Sequence, residues 1–194
     1  MRQWRFLILI FLVSISVHVA FADTIAEHSI LISVADQKLV LLHGAAREAE
    51  YPVSTSKYGI GDRKGSYATP VGVLAVSEKI GARLPKGAVF KSRRPTGEIV
   101  RPNTTGRDAI LSRIIWLSGL EGANRNAHVR GIYIHGTPEE RKIGRPASYG
   151  CIRMRSCDVI RLFDEVPVGA KIKITTMPVH LALNLLATVA ATRR

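Results

Sequence analysis

Between residues 29 and 53 the apolar side chains come in short runs with a period of two, not the three-and-four spacing of a helix. Ile30, Ile32 and Val34 alternate with Leu31, Ser33 and Ala35, Asp36-Gln37 supplies a turn, and residues 39–42 return. A second turn at 43–46 leads into a third run at 50–55. The pattern predicts a β-meander. Residues 56–68 are polar and carry Gly59, Gly61 and Gly65, so a loop is expected there. Thr69-Pro70-Val71-Gly72 reads as a turn, because proline fixes φ and glycine frees it, and 71–76 predicts another strand.

Periodicity fades over residues 81–108, where Pro85, Pro95 and Pro102 sit among glycines and basic residues. This is expected to be an irregular insertion, either a solvated basic loop or a lip facing substrate. Residues 109–117 are apolar enough for a strand or a short helix; a strand is favoured because 131–134 can pair with it. After Met154 the period lengthens. Ser156 is placed as an N-cap, Asp158 lies in the first turn, and Val159, Ile160, Leu162 and Phe163 share a helical face. Pro167-Val168-Gly169 ends that helix and 170–175 predicts a closing strand. The apolar tail at 178–194 is too short to span a bilayer and predicts a packing helix, with surface anchoring as the alternative. No internal repeat is visible. These elements predict a mainly β domain over 23–177 with one helix following a cysteine.

Composition adds a compartment. Arg2 and Arg5 precede an apolar run from 6 to 21, which ends in Ala20-Phe21-Ala22. A basic start, a short apolar centre and small residues at −3 and −1 predict a signal peptide over 1–22, and so an exported, periplasmic or cell-envelope protein. An uncleaved membrane anchor is the alternative. Cleavage would leave about 170 residues, suited to one core and expected as a monomer without a transmembrane helix. Of the formal net charge of +13, only Arg2 and Arg5 belong to that segment. A basic exported protein suits an anionic polymer or membrane surface, and export removes nucleic acid as a partner. The two cysteines, Cys151 and Cys157, match no common metal-ligand spacing, so neither metal nor cofactor is expected. A bridge between them would consume the only evident nucleophile.

That nucleophile is Cys151. His135 leaves the apolar run Ile132-Tyr133-Ile134, and sixteen residues later Ser148-Tyr149-Gly150-Cys151-Ile152-Arg153-Met154 follows. A free thiol is only about 3% thiolate at neutral pH, and an adjacent imidazole is the usual source of activation. His135 at a strand end has a fixed direction, and the intervening loop with Gly144 and Pro146 is long enough to fold back. Gly150 permits a tight turn, and the backbone N–H groups of Tyr149, Gly150 and Cys151 become candidate oxyanion donors. The set predicts an acyl-transfer site. His28, His43, His128 and His180 lack such a setting, and Cys157 is expected to be a small packing residue.

The elements IYIHGT and S-x-G-C-I-R-M, with YPVST at 51–55, TPVG at 69–72 and WLSGLEG at 116–122, resemble the L,D-transpeptidase catalytic domain, the YkuD-like family of bacterial cell-wall enzymes. The resemblance covers about residues 28–175. It implies a mainly β fold of L,D-transpeptidase sandwich or barrel type. It also implies a cysteine that attacks peptidoglycan stem peptides at an L-centre such as meso-diaminopimelate, releases D-alanine and passes the acyl group to an amine, a chemistry open to carbapenems. His135 would be base and acid, the Gly136 carbonyl would orient its ring, Ser148 would support the site by hydrogen bonding, Arg153 would hold a substrate carboxylate, and Tyr133 would border the pocket. In one place the chain departs from the family: Tyr149 stands where the usual motif has histidine. Hydrolysis through the same thioester, and a silent peptidoglycan-binding role, stand as alternatives.

Overall fold

The computed structural model describes residues 28–104 and 106–192; the expected signal peptide lies outside them. The chain opens with the expected meander: β1 (His28–Ser33), β2 (Lys38–His43) and β3 (Ala46–Pro52). It continues through β4 (Gly72–Ile80), β5 (Ala88–Lys91), β6 (Arg94–Ile99), β7 (Ile110–Gly119), β8 (Tyr133–Gly136) and β9 (Ile152–Met154). Helix α1 (Ser156–Glu165), β10 (Lys171–Thr175) and helix α2 (Val179–Thr192) complete it.

The strands follow the order β3-β2-β1-β10-β4-β7, and β8 and β9 continue from β7. Just beyond β3, Ser54 and Arg153 of β9 exchange both backbone hydrogen bonds, each at 2.9 Å. That bridge closes the ring, so the sheet is a barrel with few free edges. One strand face and helix α1 share the main core, in which Ile30, Ile32, Leu39, Leu41, Ile134 and Ile152 meet Val159, Leu162 and Phe163. The opposite face of β1 and β2, Leu31, Val40 and Leu42, lies under Val179 and Ala182 of α2. Cover on both faces is why residues 39–42 are apolar throughout instead of strictly alternating. Among the described residues no helix is long and apolar enough to cross a membrane.

The framework segments meet at one knot. The Asn124 side chain donates to the carbonyls of Val71 (3.1 Å) and Val73 (3.0 Å). Gly119 packs so closely on the Asn124 backbone that a Cβ would lie 1.9 Å from its carbonyl oxygen.

Three expectations need correction. The insertion is not irregular throughout, because β5 and β6 form a hairpin whose β5 pairs with β7. Its turn residues Ser92 and Arg93 both take positive φ (50° and 64°) without the Asn-Gly signature of such turns. Pro95 is tolerated because β6 is an edge strand exposed along its whole length. Ser156 is not an N-cap but the first helical residue. Arg155 holds the extended cap position, and the Ser156 N–H donates to the Glu140 carboxylate at 2.8 Å. Finally, Cys157 is exposed and unbridged, with its thiol 3.4 Å from the Asp158 carboxylate, so it is a surface residue and not part of the packed core.

Candidate active site

The parallel pairing of β8 with β9 sets His135 opposite Arg153. The turn preceding β9 brings Cys151 beside them. A cleft of about 130 Å³ is lined by Asp108, Ile110, His135, Tyr149, Cys151 and Arg153.

His135 is 4% exposed, and its Nδ1 lies 2.7 Å from the Gly136 carbonyl oxygen. Only a protonated Nδ1 can make that bond, which leaves Nε2 with its lone pair free to accept a proton. Burial pushes the imidazole down to about 4, against the help of the Gly136 carbonyl, and the Arg153 charge adds to the depression. The ring is therefore neutral at pH 7. Folding stability follows from the same shift. Above pH 6.5 neither state binds the proton; below it the unfolded chain does and the folded chain resists until about pH 4. On the order of 3 kcal/mol is lost across that window. Urea unfolding at pH 7, 5.5 and 4 is expected to show this loss in wild type and a shallower one in His135→Gln; parallel slopes would refute it.

The half-buried Cys151 thiol donates to the Gly131 carbonyl at 3.3 Å, and among the described residues no hydrogen bond joins it to His135. Burial pushes the thiol up to about 11, opposite to the lowered value expected from an imidazole neighbour. The resting pair is thus thiol and imidazole, not thiolate and imidazolium.

Ser148 ties the turn together. Its hydroxyl donates to the Cys151 carbonyl (2.6 Å) and accepts the Gly150 N–H (3.2 Å). Thr69 Oγ1 donates to the Gly150 carbonyl at 3.0 Å. Gly150 has φ +117°, and a Cβ at this position would meet Ala68 O and Ile132 Cδ1 at 3.3 Å, so glycine is required. Because its N–H is spent on Ser148, the candidate oxyanion donors reduce to Tyr149 and Cys151, whose N–H groups make no hydrogen bond among the described residues.

Arg153 is 2% exposed. Its Nη1 donates to Glu139 Oε2 at 2.8 Å and its Nη2 to the Asp108 carboxylate. The expected site for a substrate carboxylate therefore already holds two carboxylates of the chain. Asp108 comes from the loop before β7, and burial raises its carboxyl although Arg153 opposes the shift. Tyr133 does not line the cleft. It is buried with Phe90 and Ile114 against Cys151, its ring edge-on to Trp116 (5.7 Å), and its hydroxyl accepts from Arg93 at 3.4 Å. Sequence reasoning missed Asp108, Ile110 and Glu139, which lie in segments without a motif.

A family model described as the YkuD L,D-transpeptidase catalytic domain matches residues 27–174. A protein of Escherichia coli named Probable L,D-transpeptidase YcfS is 30% identical over 163 residues, covering 80% of this chain and 46% of that protein. Putative L,D-transpeptidase YkuD of Bacillus subtilis is 38% identical over 79 residues, 40% of this chain and 48% of that one. The chain thus spans less than half the length of these curated relatives. Among solved structures, an L,D-transpeptidase from Mycobacterium smegmatis superposes with TM-score 0.52 at 18% identity, over 77% of this chain and 59% of that one. L,D-transpeptidase 3 from Mycobacterium tuberculosis, in complex with a faropenem-derived adduct, gives 0.51 at 16% identity over 77% and 60%. These likenesses concern the fold. With the family model covering β1 to β10, the chain belongs to the L,D-transpeptidase catalytic domain family.

Proposed function

We propose that this protein is a cysteine-dependent L,D-transpeptidase of the cell envelope, acting on peptidoglycan stem peptides. The observation that carries the reading is one cleft shared by Cys151, His135 and Arg153, with His135 Nδ1 bound to the Gly136 carbonyl so that Nε2 faces no competing tautomer. A neutral base beside a neutral thiol suits attack with concerted proton transfer.

In this reading the stem peptide enters with its L-centre carbonyl near Cys151. Sγ turns from Gly131 and attacks that carbon while its proton passes to His135 Nε2. The oxyanion is met by the N–H groups of Tyr149 and Cys151, each such donor being worth about 10² to 10³ in rate. Collapse breaks the C–N bond, and the departing D-alanine amine takes the proton from His135, leaving a thioester. An acceptor amine then attacks the thioester, its proton moves through His135 to the leaving sulfur, and an L,D cross-link forms as the thiol is restored. Export to the envelope is part of the proposal and rests on the basic, apolar N-terminal pattern.

Incubation with a defined disaccharide-tetrapeptide tests it. Mass spectrometry is expected to find dimers that have lost one D-alanine. Free tripeptide without dimer would instead indicate hydrolysis, and unchanged substrate would remove the enzymatic reading.

A further inference from the structure

Beside the cleft three tyrosines stand together on the surface. Tyr58 and Tyr67 come from the loop between β3 and β4, and Tyr149 from the turn before Cys151. Their ring centroids are 5.8 Å (Tyr58–Tyr67), 5.6 Å (Tyr58–Tyr149) and 6.0 Å (Tyr67–Tyr149) apart. They are 52%, 57% and 49% exposed, respectively. Lys57 Nζ lies 4.4 Å from the Tyr149 ring centroid and 5.2 Å from that of Tyr58, and donates to the Tyr149 hydroxyl at 3.1 Å.

A loose surface loop does not account for this cluster. The loop is fastened from beneath by the ion pair of Arg130 with Asp62 at 3.0 Å, both side chains 6% exposed. Arg130 also donates to the Ala68 carbonyl at 2.6 Å, and Ser56 Oγ donates to that of Tyr67. Tyr67 is held at φ +55°, a conformation uncommon for a bulky side chain. Three half-exposed aromatic rings on a fastened support form a preorganised stacking surface.

Its chemistry narrows the occupant. Aromatic faces take flat apolar patches, such as the C–H face of a pyranose ring. The Lys57 ammonium in the cluster repels a cationic group and offers a donor to hydroxyl, acetamido or carboxylate oxygens. Reach narrows it further. Tyr149 lines the cleft as well as the cluster, so a ligand in the cleft continues directly onto the rings. A third-residue carbonyl held at Cys151 leaves two to three stem residues, about 10 Å when extended, between it and the sugar. Tyr149 is two residues from Cys151, and the other rings lie within 6 Å of it.

We propose that Tyr58, Tyr67 and Tyr149, with Lys57, form a saccharide platform that takes the N-acetylhexosamine rings of the glycan carrying the stem peptide. The identity of that glycan rests on the function proposed above. The platform would make Tyr149, the departure from the family motif, a contact for the sugar at the expense of an imidazole beside the nucleophile.

The test is binding without turnover. The Cys151→Ala protein, with ¹³C-labelled tyrosine rings, is titrated with the N-acetylglucosamine tetramer and followed by NMR. Of the five tyrosines, the signals of Tyr58, Tyr67 and Tyr149 are expected to shift with one common saturation curve, while Tyr51 and Tyr133 stay in place. Tyr58→Ala with Tyr67→Ala is expected to weaken binding at least about tenfold, whereas the paired Phe substitutions keep most of it, since stacking survives loss of the hydroxyl. No shift, or equal shifts at the buried rings, would overturn the platform, as would unaltered affinity in the alanine pair. The labelled protein without tyrosine substitutions gives its answer even if the alanine pair misfolds. The assay requires no catalysis, so an inactive enzyme that binds the tetramer would defeat only the proposed reaction, and an active one that does not bind it only the platform.

Discussion

Cys151→Ser is expected to remove acyl transfer, lowering the rate on a defined tetrapeptide stem by at least about 10⁴, the scale on which nucleophile loss is felt in enzymes that use a base-activated residue. The fold should survive, because a serine hydroxyl can keep the bond to the Gly131 carbonyl that the thiol makes now. Attack is what fails: the neutral His135 is a weak base toward an alcohol, whose hydroxyl is far less acidic than the thiol it replaces. Carbapenem adducts give a second readout, with a mass increment on wild type that vanishes in Cys151→Ala. The thiol's own titration separates this mechanism from a preformed ion pair. With the thiol at about 11, only about one molecule in 10⁴ carries a thiolate at pH 7. Because burial disfavours the charged form, reactivity must rise with pH. Iodoacetamide alkylation of Cys151, read by peptide mass apart from Cys157, is expected to climb close to tenfold per pH unit up to about pH 10. A plateau near pH 8 would mean a thiolate already stabilised by imidazolium, and the proton transfer during attack would have to be abandoned.

What the sequence discloses here divides along physical lines. The meander, β4 and β10 were legible as short apolar runs bounded by turn residues, whereas β7 was read as a strand only because 131–134, the later β8, can pair with it. The hairpin of β5 and β6 was not, because its burial is slight: β6 exposes every residue, and its turn uses Ser92-Arg93 where glycine or asparagine would have signalled it. The cap of α1 was misplaced by one residue because the group that satisfies the Ser156 N–H is Glu140, sixteen positions away. The same distinction runs through the site. His135, Tyr149, Cys151 and Arg153 lie in two contiguous segments, and the pairing of β8 with β9 places them in one cleft. Asp108 and Glu139 reach Arg153 only through tertiary packing, so no local pattern announced them. Nor does spacing reveal that burial raises a thiol which a neighbouring imidazole was expected to lower.

Arg153→Ala is expected to damage the protein twice. The guanidinium is buried with Asp108 and Glu139 as partners, whose side chains remain 37% and 23% exposed. Removing one partner of a fully buried pair costs about 3 to 5 kcal/mol. Both carboxylates here reach water, so about 2 kcal/mol is the discounted expectation, measurable by urea unfolding. Arg153→Lys should recover only part of it, since an ammonium is a point charge and cannot span two carboxylates as the planar fork does. The second loss bears on function. If Arg153 holds a substrate carboxylate, Asp108 must yield its place on Nη2, and the substrate competes with a carboxylate of the chain for the same donor. Asp108→Asn then weakens the competitor while leaving the guanidinium in place, and the donor KM should fall several-fold with kcat nearly unchanged; Arg153→Ala should raise KM about tenfold or more, the value of one charged hydrogen bond. A donor KM indifferent to Asp108→Asn, with Arg153→Ala harming stability alone, would make Arg153 a clamp between β9 and the loops bearing Asp108 and Glu139, and substrate recognition would have to be sought elsewhere on the cleft wall.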